Sequence, residues 1–191
     1  LSFQVMESGL SHQADMPVCA GPEELEDDSI RWAKLREAME KKSQDSSKAK
    51  QNSPRPIEMR SVNPIDLVNP VAREPEQLIW IKANGQIANI DGQPNNHLHH
   101  AILAYASDFN LMGTSLLPHA VNLTNPSLQP ASLDHCIWFH DKFRADEWLL
   151  YAMDSPRSSH ARGLSRGSFF TRDGRLVAST IQEGLMRLHS T

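Results

Sequence analysis

Asp108 is the residue in this sequence whose surroundings call for a chemical reason. It lies in the second half of the stretch 97–114, HLHHAILAYASDFNLMGT, where Ala101, Ile102, Leu103, Ala104, Tyr105, Ala106 and Phe109 leave almost no polar face. A helix of this composition is expected to be covered on most sides. A carboxylate in its second half gains nothing from the helix dipole, and its desolvation is costly unless a polar group receives it. Two explanations stand: the acid bonds to nearby backbone or escapes to solvent at the helix end, or it is held there for catalysis. Two other sets carry chemistry by residue type. Cys136 with His135 or His140 resembles a thiolate pair, but no nucleophile-positioning turn surrounds them. His97, His99 and His100 lack both a paired HxxxH and a carboxylate partner, so they read as solvated or capping residues and no metal is expected.

The elements that must position Asp108 follow from periodicity. Gly113 suits the left-handed capping position behind the helix and Pro118 stops its continuation. Ahead of it, residues 77–84, QLIWIKAN, alternate as a half-buried strand, with a further strand candidate in PIEMRSVNP. Behind it, residues 131–140 read as one strand with Ser132, Asp134, Cys136, Trp138 and His140 on one side. The nearly continuous apolar run 147–153 fits a central strand, and segments 165–171 and 176–182 flank the Asp173-Gly174 hairpin signal. The last strand can continue to Leu188 past Gly184, a bulge or a point of close approach. One long buried helix with four or five antiparallel strands behind it makes an α+β domain in which a curled sheet wraps the helix. The outer face or edges of such a sheet call for another copy or an internal duplicate.

The first third of the 191 residues is poorer in apolar side chains, which places the core C-terminally. Residues 1–5 read as a lone strand and 7–21 as an extended connector. Pro22 opens an amphipathic surface helix that carries Leu25, Trp32, Leu35 and Met39 and closes on Lys41 and Lys42. The polar run 43–56 has the composition of a disordered linker. The chain therefore divides at 1–21, 22–54 and 55–191, and its start at Leu1 reads as that of a fragment or processed product. A net charge of −4 offers no basic footprint for nucleic acid. Two distant cysteines, Cys19 and Cys136, argue against a disulfide framework and for an intracellular protein. No apolar run approaches the roughly 18 residues of a membrane span.

Several runs together, YASDFN, LLPHAV, SLDHCIWFH and EWLLYAMDSPRSSHARGLSRGSFFTRDGRLVASTIQEGLMR, with PIEMRSVNP and IWIKANG upstream, resemble the C-terminal half of the type II acyl-CoA thioesterases. That resemblance implies a hotdog fold, an antiparallel sheet around a long helix, as the second half of a double hotdog. It implies three catalytic residues: Asp108 in the SDFN run, Ser132 two positions before the Asp-His pair, and Gln182 opening the QEG run. Ser132 occupies a position that holds Thr or Ser in the family, so the hydroxyl is kept. Asp108 would act as general base on a water that Ser132 and Gln182 orient, with no covalent nucleophile and no cofactor. The implied substrate is a medium- to long-chain fatty acyl-CoA. Arg157, Arg162 and Arg166 either meet the CoA phosphates or form a solvated strand face. LSFQV and HQADMP resemble the closing strand and connector of a first repeat, so the chain is expected to begin at the end of that repeat. It would then pair with a first hotdog repeat or form a homo-oligomer. The alternative is a non-catalytic hotdog module that binds acyl groups or dimerises. The resemblance suggests peroxisomes, with the cytoplasm as alternative because the chain ends LHST and not in an SKL-type address.

Overall fold

Strand alternation decides which side chains meet the helix. The computed structural model describes residues 4, 5, 7–42 and 55–189, with side chains left out for 38–42. Its strands are β1 (Ile57–Ser61), β2 (Glu76–Ala83), β3 (Leu128–Ser132), β4 (Cys136–Phe139), β5 (Leu149–Ser159), β6 (Arg162–Thr171) and β7 (Leu176–Leu188). They form one open antiparallel sheet in the order β1-β2-β5-β6-β7-β3, with β4 also pairing β7. Ile79 and Ile81, Leu149, Tyr151 and Met153, Phe169 and Val177 share the core cluster with Leu103, Ala106 and Leu111 of the helical segment. This is an α+β hotdog arrangement, with the sheet curled around a central helical region.

The apolar run of β5 has a partner on each face. Leu150 joins Trp80 and Phe170 in a second cluster on the outer face, against which Met16, Cys19, Leu25 and Trp148 pack. Trp80 Nε1 donates to Ala20 O at 2.9 Å. Arg60 donates to Pro22 O, and the buried Asp28 carboxylate accepts from Ser61 N and Oγ. The N-terminal segment is therefore a strap over the outer face, where the sequence suggested only an extended connector, while the buried residues of both clusters lie in the C-terminal part.

The expected helix from Pro22 is also divided. Pro22–Glu24 form a 3-10 turn, Leu25 is extended, and α1 (Asp28–Lys42) starts afresh behind Asp27, whose side chain accepts from Ser29 N at 2.7 Å. A capping carboxylate satisfies a free N–H of the first turn, and the break lets Leu25 reach the outer cluster. Of the strand expected at 1–5, residues 1–3 lie outside the described residues; Gln4 and Val5 are exposed and carry no strand. Of the expected disordered linker over 43–56, residues 43–54 also lie outside them. No helix among the described residues is long and apolar enough to cross a membrane.

Candidate active site

The helix that was expected over 97–114 ends early, and that moves Asp108. It is α2 (Asn96–Ala106), capped by Asn95 at Leu98 N, followed by a turn and the short α3 (Leu111–Thr114). Ser107 Oγ donates back to Ala104 O at 2.8 Å, and Asn110 takes a left-handed φ of 63°, a conformation Asn tolerates better than most residues. Asp108 thus stands in the turn between two helices, on an exposed residue, and not within a covered helix. The helix itself is buried on one side only, through His99, Leu103 and Ala106, while Leu98 and Tyr105 are 42% and 55% exposed.

That turn is fixed from below. Tyr151, stacked on Phe169 at 3.9 Å, donates its phenol hydrogen to Ser107 O at 2.7 Å. Burial, and then the nearby Asp108 carboxylate, push the phenol well above its ordinary range, so it remains a donor. Gly167 makes room for the ring, since a Cβ there would collide with it. Tyr151 was not singled out in the sequence, although a phenol inside an apolar run is itself a signal that its hydroxyl needs a partner.

Ser132 arrives from the other side. The single strand expected over 131–140 is broken into β3 and β4, because Leu133, Asp134 and His135 stand opposite only Gln182 and Glu183 of β7. The extra residue arches the chain outward, and Asp134 Oδ1 with Leu133 N clamps the arch to the Glu183 backbone. So the bulge is on the partner strand, not at Gly184. Gly184, paired with Ser132, is the close-approach point: a Cβ there would come within 2.8 Å of Met112 Cγ.

Gln182, 1% exposed, joins the two. Its Nε2 donates to Asp108 Oδ1 at 2.9 Å and to Ser132 Oγ at 2.7 Å. A carboxylate only accepts, which sets the amide orientation, and both amide hydrogens are then used. Ser132, accepting at its oxygen, keeps its own hydrogen to donate. Gln182 Oε1 is buried without a partner among the described residues. The cluster therefore joins an exposed carboxylate and an exposed hydroxyl donor through one buried amide, and the carboxylate and hydroxyl are a pair suited to deprotonating and orienting water.

The other candidates are used elsewhere. His99, fully buried, accepts from Ala145 N at 3.1 Å, with burial pushing its pKa down; His100 stacks on Phe139 at 4.2 Å. His140 bonds Ser179 and His135 lies between Ser107 and Thr180, and among the described residues no hydrogen bond joins either ring to the exposed Cys136 thiol. Arg162 pairs with Glu183 and Arg166 with Asp154, while Arg157 is exposed.

A sequence model described as acyl-CoA thioesterase matches residues 51–185. The chain belongs to the acyl-CoA thioesterase family. As a member of that family it is 40% identical over 190 residues to acyl-coenzyme A thioesterase 8 of Mus musculus, covering 98% of this chain and 58% of the relative. It is 34% identical to acyl-CoA thioesterase 2 of Haemophilus influenzae, over 97% of this chain and 62% of the relative. This thioesterase-family chain thus spans about three fifths of the length of those curated relatives. Among solved structures, an acyl-CoA thioesterase II from Mycobacterium marinum aligns with a TM-score of 0.70 at 33% identity, covering 98% of this chain and 61% of that one. A hotdog-fold protein from Alicyclobacillus acidocaldarius aligns at 0.62 with 14% identity, over 97% of this chain and 59% of that one, a likeness of fold.

Proposed function

We propose that this chain is the second hotdog repeat of a longer enzyme that hydrolyses medium- to long-chain fatty acyl-CoA to free fatty acid and CoA, and that it supplies the catalytic residues. The reading rests on one observation above all: a single buried amide, Gln182, hydrogen-bonds both the Asp108 carboxylate and the Ser132 hydroxyl. In the reaction, Asp108 takes a proton from water while the water oxygen bonds to the thioester carbonyl carbon. Ser132 orients that water, and Gln182 acts by holding Asp108 and Ser132 on either side of it. The oxyanion then collapses, the C–S bond breaks, and CoA leaves as a thiolate that is protonated afterwards. A thiol with a pKa of about 8.5 makes a competent leaving group without a strong acid beside it. An apolar pocket of about 310 Å³, lined by Leu116, Leu128, Met186 and Leu188 further along the same face of β3 and β7, is the place for the acyl tail.

Residues 55–191 form the thioesterase unit in this reading, 22–54 its helix and linker, and 1–21 the tail of a preceding repeat. The exposed apolar side chains Leu98 and Tyr105 on α2 and Trp138 and Phe139 on β4 favour cover by a first repeat or a second copy. Arg157, Arg162 and Arg166 are left as candidates for the CoA phosphates. A peroxisomal setting draws support from the 36% identity over 87 residues to a peroxisomal acyl-coenzyme A thioester hydrolase of Saccharomyces cerevisiae, which covers 45% of this chain and 25% of that protein. A second reading, a non-catalytic acyl-binding or dimerisation module, is favoured by the exposure of Asp108 and Ser132 in the chain taken alone.

The deciding experiment is free-thiol release from a series of acyl-CoA esters by this chain and its Asp108→Asn variant. Turnover lost in the variant supports the enzyme. Acyl-CoA binding without thiol release, unchanged in the variant, supports the module.

A further inference from the structure

Each of the three site residues has a neighbour in a second cluster beneath it. Ser107 precedes Asp108, His135 follows Ser132 by three positions, and Thr180 precedes Gln182 by two on the same face of β7. His135 Nε2 lies 2.8 Å from Ser107 Oγ and 3.2 Å from Thr180 Oγ1. Ser107 and Thr180 are both buried, at 0% and 1% exposure.

The hydrogens in this cluster can be assigned by elimination. A hydroxyl has one hydrogen to give. Ser107 Oγ gives its own to Ala104 O at 2.8 Å, and Thr180 Oγ1 gives its own to Cys136 O at 2.7 Å. Both oxygens can then only accept from His135, so Nε2 must carry the ring hydrogen and share it between them. The other ring nitrogen, Nδ1, is buried with no partner among the described residues, where a hydrogen would find no acceptor. The ring hydrogen of His135 therefore sits on Nε2.

We propose that His135 is a positioning residue for the Asp108–Gln182 pair, its Nε2–H tying the arch behind Ser132 to the turn that carries Asp108 and to the strand that carries Gln182. The consequence for catalysis rests on the reading of Asp108 as the base; the tautomer and the tie do not. The arch is a surface segment held to β7 by few bonds, and Ser107 is the last residue of a helix end. Without the shared donor, the two hydroxyls lose their common partner, and the Gln182 amide must hold Asp108 and Ser132 against looser backbones on both sides.

The test compares His135→Gln with His135→Asn in the full chain. A Gln side chain can carry an N–H to the place of Nε2, whereas the shorter Asn amide reaches only to the place of Nδ1. Long-range proton–nitrogen spectra of the wild-type ring are expected to show the hydrogen on Nε2. Solvent exchange of the Gln182 side-chain amide is expected to speed up about tenfold in His135→Asn, the equivalent of one net hydrogen bond, and to remain near wild type in His135→Gln. Turnover should follow the same order, as a fall in kcat with KM unchanged. A ring hydrogen found on Nδ1, or equal effects of the two substitutions, would overturn the proposal. Turnover that survives Asp108→Asn sinks the base assignment instead, and the spectra and exchange rates still judge His135.

Discussion

Gln182 donates to Asp108 across 2.9 Å from a position more than seventy residues further along the chain, and the same nitrogen holds Ser132 at 2.7 Å. Replacing Gln182 by Ala removes both bonds, and a loss of roughly tenfold to a thousandfold in turnover is expected in thiol-release assays. Gln182→Glu is the sharper variant. It sets a second carboxylate against Asp108, two like charges at hydrogen-bond distance, so it should be as inactive as the Ala variant and less stable to urea. Wild-type turnover in Gln182→Ala would remove Gln182 from the mechanism.

Ser132 contributes only its hydroxyl to the cluster. Ser132→Thr keeps that group and is expected to hold turnover within a few-fold of wild type, while Ser132→Ala should lose on the order of tenfold or more. Since the residue is exposed and Thr keeps the acceptor, Ser132→Thr should stay within about 0.5 kcal/mol of the parent in stability, whereas Ser132→Ala leaves a buried Gln182 amide hydrogen unpaired and should cost about 1–3 kcal/mol. Equal turnover in the two would show that the hydroxyl does no chemistry.

Gly167 and Gly184 predict different costs for the same substitution. A methyl at Gly167 meets the Tyr151 ring, which is stacked on Phe169 and bonded to Ser107. Gly167→Ala is therefore expected to destabilise by about 1–3 kcal/mol, the usual range for overpacking a filled core. At Gly184 the atoms in the way belong to Met112, whose thioether chain can swing aside. Gly184→Ala should cost less, and chemical denaturation of the pair gives the order directly. The reverse order contradicts this account of the packing.

Acid should destabilise the fold through His99. Burial, with Arg144 beside it, lowers its pKa in the folded state, and its Nδ1 is occupied by Ala145 N–H. A base with a depressed folded pKa binds fewer protons when folded than when unfolded. Stability is then full above the unfolded value of about 6.5 and falls as pH drops below it. His100 and His140 are shifted the same way by burial and add to the slope. His99→Asn, which keeps an acceptor for Ala145 N, should show a smaller fall in Tm between about pH 7.5 and about pH 5.5, on either side of that value. An unchanged slope would assign the acid sensitivity to other groups.

Much of this was legible along the chain because it depends on local pattern. The α+β class, the apolar β5, the hairpin at Asp173-Gly174 and the resemblance carried by the SDFN, LDHCIWFH and QEG runs all rest on residues close together in sequence, where periodicity and turn chemistry act. Those runs also picked out Asp108, Ser132 and Gln182 one at a time.

What the chain order did not hold was where local bonds break a pattern, and what long-range pairing does with the pieces. Ser107 turned its hydroxyl back on Ala104 and ended the helix before Asp108, and a run of three residues against two split the strand after Ser132. Composition sees an apolar helix and a continuous strand in both places, because it cannot see which backbone groups find partners elsewhere. The strap of residues 16–25 over Trp80, Leu150 and Phe170 escaped for the same reason: its apolar residues have no period of their own and acquire a role only against a face made by three separate strands. Residue types and local order thus determined which groups this protein has for chemistry. The tertiary structure alone decided that Gln182, one buried amide with two hydrogens to give, stands between a carboxylate and a hydroxyl that the sequence keeps far apart.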